Sequence, residues 1–94
     1  RPMINQKPDL RDLLESAEGK ELLFLGKEGI FTTKEIERFL NPYHITITQD
    51  LDEDVAGVVE HHRLNPVEED ISNDAYDRKL PLYKLSEFEE LMSS

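Results

Sequence analysis

Between Gly19 and Gly26 the chain carries Leu22-Leu23-Phe24-Leu25, four bulky apolar residues with no polar break. A strand with one wet face would alternate, so a short unbroken run is the pattern of a strand buried on both faces. Leucines alone would also allow a longer helix, but the bracketing glycines argue against one. After a loop, Thr33-Lys34-Glu35-Ile36-Glu37-Arg38-Phe39-Leu40 places its apolar residues at helical spacing. A buried strand feeding a helix is how an open parallel α/β sheet begins. A second unbroken run, Val55-Ala56-Gly57-Val58-Val59, supplies another doubly covered strand.

The remaining elements follow from spacing and end signals. Leu10, Leu13, Leu14 and Ala17 fall on one helical face, with Pro8 in the first turn and Gly19 past the end, which predicts a helix over Pro8–Glu18. Thr32 and Glu35 have capping-box spacing and start the next helix, burying Ile36, Phe39 and Leu40. Asn41-Pro42 is expected to stop it, because a residue before proline is biased out of the helical region. Tyr43–Thr48 alternates and is β-branched, a second strand. Asn65, Pro66 and Glu68 open a very polar helix lined by Val67, Ile71 and Ala75. Leu80–Tyr83 reads as a short strand at an edge, given Pro81. Ser86 and Glu89 form a further capping box before a last helix that buries Phe88, Leu91 and Met92. The predicted order is α-β-α-β-β-α-β-α.

Ninety-four residues suit one small domain. The expected division is a flexible N-terminus over 1–7 (Arg1-Pro2 reads as an appended remnant), an added helix over 8–19, and the main domain over 20–94. The formal charge is −10, from 21 acids against 11 bases. Such a surface repels phosphate backbones, whose binding relies on Lys and Arg displacing counterions, so direct duplex DNA binding is not expected. Cysteine is absent, which excludes disulfides and thiolate metal sites and fits a cytoplasmic setting. No apolar run approaches the ~20 residues of a membrane-crossing helix, so no membrane role is expected.

From Glu21 to Met92 the chain resembles a BRCT domain, the breast-cancer-susceptibility C-terminal repeat family, above all the bacterial type at the end of NAD-dependent DNA ligases. Three segments carry the resemblance: Leu22-Leu23-Phe24-Leu25-Gly26, Val55-Ala56-Gly57-Val58-Val59, and Leu80-Pro81-Leu82-Tyr83-Lys84-Leu85-Ser86-Glu87-Phe88-Glu89-Glu90-Leu91. The last is the most specific, with its apolar-Pro-apolar strand, Ser-Glu, aromatic and Leu. The family's Gly-Gly turn is replaced by Asn41-Pro42-Tyr43, and its last-helix tryptophan is missing, leaving Phe88 to fill that space. The resemblance implies a four-stranded parallel sheet in order 2-1-3-4. Its first and last family helices would share one face, with the middle helix on the other. It also implies a non-catalytic protein-protein interaction module, docking a partner or pairing with itself, within a larger genome-maintenance protein for DNA repair or replication. No cofactor is expected.

Phospho-binding members of the family hold phosphate with a Ser/Thr hydroxyl and a glycine N–H after the first strand, plus a lysine from a later helix. Gly26 matches the glycine and Lys27 could add one contact. Leu25 replaces the hydroxyl residue, and Glu68, Glu69 and Asp70 stand where the lysine would be. Asp50, Asp52 and Asp54 have the alternate spacing of a calcium loop, but Val55 and His61 hold the places of its glycine and its last carboxylate. The competing function class is therefore a metal- or ligand-responsive regulatory domain with the 50–54 loop as sensor. His44, His61 and His62 are expected at the surface. No nucleophile, phosphate loop or paired acids suggest an enzyme. Ile30 and Phe31 either tuck under the sheet or mark an interface, because loops rarely spend two bulky apolar residues on solvent. The stripe of the first helix is expected to pack at home rather than on a partner.

Overall fold

A computed structural model describes residues 7–94. Its elements are α1 (Leu10–Ser16), β1 (Glu21–Leu25), α2 (Thr33–Leu40), a 3₁₀ turn (Asn41–Tyr43), β2 (Thr46–Thr48), β3 (Val55–Glu60), α3 (Pro66–Asp77), β4 (Leu82–Lys84) and α4 (Leu85–Ser93). The strands form one sheet in order β2-β1-β3-β4, and every neighbouring pair is parallel. The architecture is the α/β sheet expected, with its additional N-terminal helix.

The unbroken apolar runs are explained by what covers each face. Leu22 packs with Val59 on the side of α1, α2 and α4, while Leu23, Leu25, Val55 and Val58 pack on the side of α3. Successive strand residues alternate between two dry layers, so both faces of the central strands carry apolar side chains. The first layer is the thicker one. Leu10, Leu13, Leu14 and Ala17 of α1 and its C-cap lie in it beside Ile36, Leu40, Tyr83 and Phe88. The stripe of α1 thus serves its own domain. Phe88 is fully buried and meets Phe24 and Phe39 edge to face, with centroids 5.3 and 5.7 Å away.

Several boundaries differ from the sequence reading, each for a local reason. Helix α1 begins at Leu10 because Asp9 caps it, its side chain accepting from the Arg11 N–H. Pro8 stays outside, its carbonyl accepting from the Tyr83 hydroxyl at 2.7 Å. Lys7, assigned above to a flexible end, donates to the Leu82 carbonyl at 2.9 Å and lies 3.2 Å from the Glu87 carboxylate. The rest of that segment, residues 1–6, lies outside the described residues.

The pre-proline bias at Asn41 is overridden: its φ of −56° and ψ of −44° are right-handed helical. The chain runs on into the 3₁₀ turn, which carries Tyr43 to 6.0 Å from Phe39 between ring centroids. His44 then reverses direction in the left-handed region at φ 58°, so β2 shrinks to Thr46–Thr48. On α3 the expected stripe is rotated. Val67 is 67 % exposed, whereas Ser72 is only 1 % exposed and shares the inner face with Ala75. A hydroxyl is tolerated there because it donates to the Glu60 carboxylate. At the last helix the predicted Ser86–Glu89 box does not form; α4 starts two residues earlier, where Glu87 accepts from the Lys84 N–H at 3.1 Å.

Candidate functional site

In the order β2-β1-β3-β4 the connections leaving β1 and β3 depart in opposite directions. That arrangement opens a crevice beyond the carboxyl ends of the two central strands, the usual ligand position in open α/β sheets. Gly26 and His61 stand at these two ends. Gly26 has φ +95°, and a Cβ there would come within 2.5 Å of the His61 Cβ and 3.2 Å of the Arg63 carbonyl. Only glycine lets the two strand exits pass this closely.

The Gly26 N–H is engaged. It donates to Glu68 Oε2 at 3.1 Å, while Glu68 Oε1 accepts from the Asn65 N–H at 2.9 Å. One carboxylate thus ties the exit of β1 to the start of α3, so an external anion at Gly26 has to displace Glu68. Around it lies a recess of about 450 Å³ lined by Lys27, His61, His62, Arg63, Leu64 and Asn65 together with Glu68. The imidazoles of His61 and His62 stack at 4.2 Å, and His61 Nδ1 accepts from the Arg63 N–H at 3.1 Å.

A larger groove of about 610 Å³ continues from this recess between α3 and α4, sharing His61, His62 and Leu64. Ile30 and Leu85 also line it. The expected pair Ile30-Phe31 divides here. Phe31 is half-buried and packs against the core, whereas Ile30 is 74 % exposed. The loop is fastened on both sides. Glu89 Oε2 accepts from the Ile30 N–H at 2.7 Å, and Glu28 Oε2 takes both the N–H and the hydroxyl of Thr33 at 2.6 Å. The Thr33 hydroxyl bond, then the backbone one, holds the Glu28 carboxyl below the usual carboxylate range.

The 50–54 loop lies near Glu21, at the opposite, amino end of the strands. Asp50, Asp52 and Asp54 are exposed, and Asp52 Oδ1 accepts from the Asp54 N–H at 2.9 Å. Among the described residues no group of three or more His, Cys, Asp or Glu converges as a metal cage requires. Glu21, which sequence reading passed over, faces this loop. One of its carboxyl oxygens is shut off from water without a hydrogen-bond partner. A hydrogen bond to Asp52 that only the protonated acid can donate, then burial, then the negative charges of Asp52, Asp54 and Asp50 push the Glu21 carboxyl above its usual 4.5.

An acid with a raised native value binds its proton more readily folded than unfolded. Its contribution is fully present below 4.5 and is lost as pH rises through the native value. At neutral pH Glu21 therefore opposes folding. Glu21→Gln is expected to raise the melting temperature at neutral pH, with the gain over wild type shrinking as pH falls toward 4.5. Melts across that range check it; a gain that does not vary with pH refutes the assignment.

Glu89 and the Glu60–Ser72 pair are the site residues that sequence reasoning did not place, and Glu68 was read as a cap and a phosphate-repelling acid but not as the partner of Gly26. The Asn65–Glu68 capping signal was legible, but the reach of Glu68 to Gly26 spans 42 residues and depends on the fold. Comparison with protein-family models, curated proteins and solved structures finds no match for this chain. Among the described residues no helix is long and apolar enough to cross a membrane.

Proposed function

We propose that the chain is a BRCT-like, non-catalytic interaction module that docks a protein partner or a second copy at the crevice rim. Ile30 carries this reading. An aliphatic side chain 74 % exposed, on a loop whose own N–H is fixed by Glu89, is held out by design of the loop rather than left loose. The sheet order and helix placement that the resemblance implied support the kinship. The crevice carboxylates are spent on structure: Glu68 on Gly26 and Asn65, Glu89 on Ile30, Glu60 on Ser72. Groups so committed favour a binding role over general acid or base work.

Phosphopeptide capture by Gly26 and Lys27 is the weaker form of this proposal, since the phosphate would have to evict Glu68. Service in a DNA repair or replication protein follows from the kinship alone. With a formal charge of −10, contact with DNA would run through the partner.

Ile30→Asp tests the reading. The variant is expected to melt within about 0.5 kcal/mol of wild type, as exposed substitutions do. It should lose binding by ~30-fold or more, the effect of removing an interface anchor. Pull-down from source-cell extract and sedimentation of the purified chain measure the two forms of docking. An Ile30→Asp variant that captures the same proteins and sediments identically to wild type overturns the proposal.

A further inference from the structure

Taking the docking reading as given, the larger groove specifies the charge of its occupant. Leu64 and Leu85 contribute apolar surface, and Ile30 adds to it from the loop. Helix α3 lines one side with Glu69 and Asn73, and α4 lines the other with Ser86 and Glu89. With Glu60, three carboxylates line the groove against one ammonium, that of Lys84. Glu89 uses Oε2 on the Ile30 N–H, and no described contact occupies Oε1. Glu69 is exposed on the first turn of α3. The cationic residues Lys27 and Arg63 lie in the neighbouring recess, where the Glu68 carboxylate already stands among them.

We propose that the groove takes a cationic segment of a protein partner, with an apolar side chain seated on Leu64 and Leu85 and Lys or Arg against Glu69 and Glu89. The formal charge of −10 draws such a segment in from a distance, and the lining carboxylates fix its register. A phosphorylated or acidic segment meets like charge along the same path. An uncharged one gains the apolar contact but not the steering.

The test uses short fluorescent peptides that share one Leu-Phe anchor and differ only in flanking residues: Arg, Gln, Glu or phosphoserine. Binding to the whole chain is read by anisotropy, and its location by amide shifts. The Arg-flanked peptide is expected to bind about tenfold tighter than the Gln-flanked one, to weaken as salt rises, and to shift Leu64, Glu69 and Leu85. Glu69→Gln should weaken it about threefold, the scale of one exposed ion pair, with melting unchanged.

Equal affinity for all peptides, or preference for Glu or phosphoserine flanks at the same groove, rejects the cationic occupant and leaves docking standing. Arg-peptide shifts scattered over the acidic surface and insensitive to Glu69→Gln also reject it. If no peptide shifts the groove and Ile30→Asp changes nothing in capture from extract, both readings fall together.

Discussion

Phe88→Ala is expected to remove about 4 kcal/mol of folding stability, the middle of the range for truncating a buried aromatic. Phe88 touches no solvent and holds Phe24 of β1 and Phe39 of α2 edge to face, so its loss opens a void where three elements meet. Neither neighbour has another ring to turn against α4. For a domain of this size the melting temperature should fall by ~20 °C. Since small domains hold only ~5–15 kcal/mol in total, the variant sits near the edge of folding. Urea titration of Phe88→Ala and of the milder Phe88→Leu checks the expectation. A loss below ~1.5 kcal/mol for the alanine variant would mean that α4 is not the keystone of the thicker layer.

Gly26→Ala should cost less in stability but more in site geometry. A side chain at φ +95° pays backbone strain of ~1–2 kcal/mol, and its Cβ also lands 2.5 Å from that of His61. Gly19 provides the control. Its φ is +80°, but nothing lies within 4 Å of where its Cβ would be. Gly19→Ala therefore pays only the backbone part, and the excess for Gly26→Ala, expected at ~1 kcal/mol or more, isolates the crowding at the strand exits. The same substitution should displace the His61 and Glu68 amide signals while leaving those of α1 unmoved. Equal costs for the two glycines would show that the strand exits have room to spread.

Both substitutions act on features that the residue pattern revealed unevenly. The central strands were legible because Leu22–Leu25 and Val55–Val59 lie between two packed layers, and an unbroken order of apolar residues records that. The edges were less so. Strand β2 lost Tyr43 and His44 because the chain stays helical through Asn41 into a 3₁₀ turn and reverses at His44. Val67 was misplaced because the inner face of α3 is centred on Ser72, and a polar residue at a core position breaks the apolar stripe that marks a helix face.

The site was the least legible part. Ile30-Phe31 stood out as a bulky pair, yet which of the two would turn outward depends on Glu89, 59 residues further along the chain. Glu68 was read as an acid that would repel phosphate. It instead holds the glycine N–H that phosphate would use, a relation that exists only once α3 lies across the end of β1.

The sheet also limits how copies of this protein can aggregate. Its outer strands, β2 and β4, are three residues each, and the Lys7 ammonium already occupies the Leu82 carbonyl on β4. Stubs this short offer little template for a foreign strand to zip onto, so cross-β growth and swapped-strand oligomers have no good starting edge. Under mild destabilisation the chain should precipitate through melted cores before it forms ordered fibres.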